Sequence, residues 1–105
     1  MKRELRFTPE AQQNLKDLAA TPAKGSVLKQ VRKTFALLET DLRHPSLKTH
    51  AYRSVQGPHG EQVFEAYVQN RTPGAYRVFF FYGPDRIAGG KRIPVLTIIA
   101  ITPHL

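Results

Sequence analysis

The feature that most limits how this chain can fold is a change of hydrophobic period at His44-Pro45. Before it, apolar residues recur every three to four positions; after it, they gather in short runs separated by glycine and proline. A chain patterned this way makes helices first and a sheet second, an α+β arrangement rather than alternating βαβ units. Val27, Val31, Phe35, Leu38 and Leu42 form one stripe, which predicts a helix running to about Asp41. It ends there because the residue before a proline is pushed out of helical angles. An earlier helix starts at Thr8-Pro9, where the hydroxyl can cap the first turn and the proline gives up no needed N–H. Ala11, Leu15, Leu18 and Ala19 share its face, and Thr21-Pro22 interrupts it. Ahead of both, Glu4-Leu5-Arg6-Phe7 alternates as a short strand with Leu5 and Phe7 toward a core.

After Pro45 the runs 51–55, 62–69, 75–82 and 93–101 read as strands. They are joined through Gln56-Gly57-Pro58-His59-Gly60, Asn70-Arg71-Thr72-Pro73-Gly74 and Gly83-Pro84-Asp85. Short turns favour an antiparallel meander. The nearly unbroken apolar content of residues 78–82 and 95–101 marks those two as central strands covered on both faces. No repeat, linker or low-complexity tract divides residues 1–105. The expectation is a single domain: an N-terminal strand and a two-helix hairpin packed on a mostly antiparallel four-stranded C-terminal sheet.

Composition narrows the chemistry. The 105 residues suffice for one core. The absence of cysteine removes disulfides, thiolate metal sites and a cysteine nucleophile. The opening MKRELRFTPE never becomes a signal-type apolar stretch, and residues 93–101 are broken by Pro94 and Thr97, short of the roughly 20 residues of a helical bilayer span. A soluble, cytoplasmic protein without membrane contact is expected. Sixteen Lys and Arg against eight Asp and Glu leave +8, which favours polyanionic partners, and the excess is spread over both halves of the chain rather than held in a tail. Gly89-Gly90-Lys91 lacks the remainder of a phosphate-binding loop, no G-x-S-x-G elbow exists, and neither a D-x-D nor an H-E-x-x-H motif is present. No cofactor or metal is called for.

What remains after Pro45 is Lys, Arg, His and Tyr, materials for gripping a phosphodiester and moving its protons. RNA carries its own nucleophile. Its 2′-hydroxyl attacks the adjacent phosphorus once a base takes its proton, cations hold the phosphoryl charge, and an acid protonates the leaving 5′-oxygen.

The run Gly74-Ala75-Tyr76-Arg77-Val78-Phe79-Phe80-Phe81-Tyr82, the apolar closing strand, the terminal Ile101-Thr102-Pro103-His104 and His44-Pro45-Ser46-Leu47-Lys48 before the sheet resemble the RelE/ParE superfamily of bacterial toxins, nearer its RelE and HigB branch. The resemblance covers nearly the whole chain. It implies the toxin of a type II toxin-antitoxin system: a metal-independent endoribonuclease that cuts mRNA in the ribosomal A site, leaving a 2′,3′-cyclic phosphate and a 5′-hydroxyl. The implied partners are mRNA, the ribosome and a cognate antitoxin that neutralises it in a hetero-oligomer.

Residue by residue, the resemblance gives Arg77 the scissile phosphate, His104 proton transfer and Lys48 charge stabilisation or proton transfer; Arg53, on the neighbouring strand, is a candidate phosphate contact beside them. Arg77 could instead pair with Glu65 across the sheet. His104 could be an idle terminal imidazole, and Lys48 and Arg53 solvated surface charges. His50 is a further proton carrier or a surface imidazole, and Tyr82 a base-stacking ring or a core aromatic, since it differs in strand parity from Arg77. Lys29, Arg32 and Lys33 suit rRNA phosphates or solvate a helix face. His59 receives no role. Glu65 is the strand carboxylate near the site that could serve as base; some members carry a glutamate just before the Leu-Lys pair, where this chain has Pro45-Ser46. Rival readings are a non-enzymatic ParE-like inhibitor of DNA gyrase and an inactive RNA-binding domain, because a fold does not fix a function.

Overall fold

A computed structural model describes residues 2–70 and 72–105; Arg71, in the expected turn at 70–74, lies outside the described residues. The elements run β1 (Glu4–Phe7), α1 (Pro9–Ala19), a 3-10 turn (Pro22–Lys24), α2 (Gly25–Thr40) and a second 3-10 turn (Pro45–Leu47). Then follow β2 (His50–Gln56), β3 (Gln62–Tyr67), β4 (Arg77–Tyr82), β5 (Arg86–Ala88), β6 (Lys91–Ile93) and β7 (Val95–Thr102). The main sheet has the order β1-β7-β4-β3-β2. The expected antiparallel meander is therefore present as β2, β3, β4 and β7, and β1 extends it to five strands by lying parallel to β7.

The closing strand differs from expectation at its start. Ile93 belongs to a separate hairpin, β5–β6, whose turn Gly89-Gly90 adopts left-handed angles (φ 56 and 74) that other residues rarely take. Bidentate contacts from Arg86 to Glu4, with Nη2 2.8 Å from Oε2, tie this hairpin to β1.

Both helices pack on one side of the sheet. Ala11, Leu18, Val27, Val31 and Leu38 meet Ala66, Val78, Phe80, Leu96, Ile98 and Ile101, with Leu5 and Phe7 against them. Thr8 anchors the junction: its Oγ1 accepts from the Ala11 N–H as the cap of α1 and its hydroxyl donates to the Ile99 carbonyl. Asn14 Oδ1 accepts from the Ile101 N–H at 2.9 Å, so α1 is fastened to β7 by polar as well as apolar contacts.

The second side carries no helix. It is covered by Val63, Phe79 and Ala100, with Tyr52, Val55 and Ile99 packed on them. A register shift between Phe79 and Phe80, opposite Ile98 and Ala100, marks a bulge at Ile99. The bulge lets Ile99 and Ala100 both join this side while Ile98 and Ile101 stay with the helices. β4 and β7 are thus buried on both faces, as their apolar runs require.

Candidate active site

The helix-free side becomes polar toward one end of β2, β3 and β4. Register sets the arrangement: His50 stands directly opposite Glu65, and Tyr67 directly opposite Arg77. Glu65, with a side chain 12% exposed, is gripped from both flanks. His50 Nε2 lies 2.5 Å from Oε1, and Arg77 Nε lies 3.3 Å from Oε2. The Arg77 contact is an ion pair without hydrogen-bond alignment, for Nε is buried and makes no hydrogen bond among the described residues. Arg77 is also fixed from below and behind. Its Cζ sits 4.4 Å from the centre of the Tyr67 ring, and Nη1 donates to the carbonyls of Ala75 and Pro103, each at 3.2 Å. A guanidinium held by its Nε and Nη1 edges, and three-quarters buried, keeps Nη2 for an outside anion. Of the two readings of Arg77, the cross-sheet ion pair with Glu65 is present, and it leaves Nη2 without a hydrogen bond among the described residues.

Lys48 and His50 reach the site through an unusual turn. Lys48, closing the second 3-10 turn, is the one non-glycine residue among those described with a left-handed backbone (φ 46, ψ 40). That conformation points its carbonyl at His50 Nδ1, 2.7 Å away, while its Nζ lies 6.0 Å from the Tyr67 ring centre. The His50 ring meets Tyr67 edge-on at 5.7 Å. Strain in a backbone is stored where the surroundings over-determine it, and here it orients an imidazole.

The chain's last residues return to the same side. The Pro103 carbonyl accepts from Arg77, and the Leu105 carbonyl accepts from the Tyr52 hydroxyl at 3.0 Å, the Tyr52 ring itself standing edge-on to Phe79. His104, exposed, is held between these two anchor points. The backbone on either side of His104 therefore lies in the same region of the molecule as the Arg77 guanidinium.

Other residues singled out from the sequence lie elsewhere. Arg53 is exposed and lines a shallow depression with Val55, Gln56, Gly60 and Gln62. Tyr82 is half-exposed on the helix side, edge-on to Phe64 and Phe80, and lines a groove with Arg3, Leu42, Arg43, His44 and Lys48. Its parity separates it from Arg77, so it cannot stack on a base held by that guanidinium. Lys29, Arg32 and Lys33 are exposed on α2, across the sheet from Glu65, and can reach only a separate part of a large partner. His59 pairs with Glu61 in its turn, where backbone N–H groups of Glu61 and His59 lower the Glu61 carboxyl below its usual range. Tyr67 and Tyr52 were missed as site residues; shared parity with Glu65 on β3, and with His50 on β2, was the signal.

Among the described residues no group of three or more His, Asp or Glu side chains is placed to hold a metal ion. None of the described helices is long and apolar enough to cross a membrane. The cluster contains a carboxylate, two candidate imidazoles, a buried guanidinium and an exposed ammonium. It can take a proton, give one, and hold a phosphoryl group's charge.

No family model and no curated protein matches the sequence. Among solved structures, the chain is similar to YoeB from Staphylococcus aureus, solved as a dimer, at 11% identity and a TM-score of 0.60, with the match covering 100% of both chains. The overlap over the full length of both chains at this TM-score shows that this chain has a YoeB-like fold, the architecture that the resemblance implied.

Proposed function

We propose that this protein is the toxin of a type II toxin-antitoxin system and acts as a metal-independent endoribonuclease on mRNA in the ribosomal A site. The observation that carries the reading is the convergence of Glu65, His50, Arg77 and the tail bearing His104 on the one side of the sheet that no helix covers. Glu65 serves as base toward the 2′-hydroxyl. Arg77, through Nη2, and Lys48 neutralise the phosphoryl oxygens as charge builds, and His104 protonates the departing 5′-oxygen. The products are a 2′,3′-cyclic phosphate and a 5′-hydroxyl. Proposed partners are mRNA, the ribosome and a cognate antitoxin; Lys29, Arg32 and Lys33 would touch rRNA on the far side of the toxin.

Primer extension on a defined message in a reconstituted translation system tests this. Wild type is expected to cut, and Arg77→Ala and His104→Ala to lose cutting while retaining the fold. Full activity of both variants would reject the assignment. DNA gyrase poisoning without mRNA cleavage would move the protein to the ParE-like reading.

A further inference from the structure

His50 has an acceptor at each ring nitrogen. Nδ1 lies 2.7 Å from the Lys48 carbonyl oxygen and Nε2 lies 2.5 Å from Glu65 Oε1. A carbonyl oxygen has no proton to give, so Nδ1 carries one and donates it. A neutral imidazole with its proton on Nδ1 would then turn a lone pair at Nε2 toward a lone pair of an ionised Glu65. That approach is repulsive, and a proton between Nε2 and Oε1 removes the repulsion.

Among the described residues, no other side chain contacts Oε1. The other oxygen, Oε2, is taken by Arg77 on β4; Tyr67 on β3 gives His50 only a ring edge; Lys48 directs its Nζ toward Tyr67. The left-handed turn at Lys48 and the direct opposition of His50 and Glu65 in the β2–β3 register fix both ends of the contact.

From this geometry we infer that His50 and Glu65 work as one acid–base unit, in which His50 is a catalytic partner rather than a substrate-binding side chain. The inference rests on the ribonuclease reading above. The resting unit holds a proton in the gap between Nε2 and Oε1 and gives it up to water before each cut. The 2′-hydroxyl proton moves into that gap, the O2′–P bond forms, and the P–O5′ bond breaks with its electron pair going to O5′. O5′ then takes a proton from the His104 imidazolium. The unit has gained one proton and His104 has lost one, and exchange with water resets both.

Two measurements test it. The first needs no RNA: ring ¹⁵N shifts of His50 in the full-length protein at neutral pH. Both nitrogens are expected to carry or share a proton in wild type, and Nε2 to become unprotonated in Glu65→Gln. An unprotonated Nε2 in wild type would overturn the inference whatever the protein cleaves. The second compares His50→Gln, His50→Ala, Glu65→Gln and the double Gln variant for message cleavage, with thermal melting as the control for folding. Gln can fill the imidazole's place but cannot exchange a proton, so both His50 variants should lose about 100-fold or more, a loss typical of a missing proton-transfer group. The double variant should be scarcely worse than either single one, as for residues acting together. Recovery of near wild-type cleavage in His50→Gln, or losses that multiply in the double variant, would reject the unit and leave Glu65 as an independent base. A wild type that cuts no message would instead sink the ribonuclease reading, while the ¹⁵N result would still decide the proton sharing.

Discussion

Arg77 shows how much one side chain is asked to do in this site. It pairs with Glu65, stacks on Tyr67, and reaches two carbonyls through one nitrogen, contacts that depend on a planar fork rather than on charge alone. Arg77→Lys keeps the charge and loses the fork; message cleavage should fall by roughly 100-fold with little change in melting temperature, measured as kcat/KM by primer extension. Tyr52→Phe removes only the hydroxyl that holds the Leu105 carbonyl. Faster amide exchange at residues 104–105 is expected, together with a several-fold drop in cleavage that disappears when His104 is already Ala. A drop that persists in that background would show that Tyr52 acts otherwise than through the tail. The Arg77–Glu65 pair was readable from the sequence because it needs only strand parity, which put Glu65 within diagonal reach. The His50–Glu65 contact was not, since it depends on the β2–β3 register and on a left-handed lysine that no composition rule predicts.

At the level of elements, the helices were legible because cap, stripe and proline stop agree. Thr8-Pro9 starts α1 where expected, and α2 ends at Thr40, one residue before the predicted limit. Thr8→Ala deletes the cap acceptor and the bond to the bulge carbonyl, so chemical denaturation should show a loss of about 1–2 kcal/mol. The β5–β6 hairpin was not legible: its strands are three residues each, too short for a period to show, and an ion pair between residues distant in sequence ties it to β1. That pair also predicts a pH response. Arg86, by hydrogen bonding first and charge second, lowers the Glu4 carboxyl below its usual value of 4.5, and Glu4 raises the Arg86 guanidinium. A depressed carboxyl stabilises the folded state above its unfolded value and loses that contribution as pH falls through its folded value. Glu4→Gln should therefore speed amide exchange in residues 86–93 at neutral pH. The difference from wild type should vanish in acid below the ordinary carboxylate range.

For the molecule as a whole, charge and layering divide the surface. One side of the sheet is closed by helices and the other is left open with the Glu65 cluster, while the +8 net charge is spread over both. Binding to a short single-stranded RNA should weaken steeply with salt, its log–log slope falling by roughly one for each phosphate contact removed. His50→Gln should leave that slope unchanged, and an Arg77→Ala variant should reduce it. The two-layer plan was readable from the period change at Pro45, but the parallel pairing of β1 was not, because local pattern says nothing about which neighbour an edge strand takes. That pairing places β7 between β1 and β4, although residues 95–102 are synthesised after every other strand. Emerging N-terminus first, the nascent polypeptide can neither join β1 to the β4-β3-β2 ladder nor supply the Pro103 carbonyl that steadies Arg77 until that stretch has cleared the exit tunnel. On the ribonuclease reading, an enzyme so threaded is born unarmed, and the translating machine that makes it is spared until the final strand slides home.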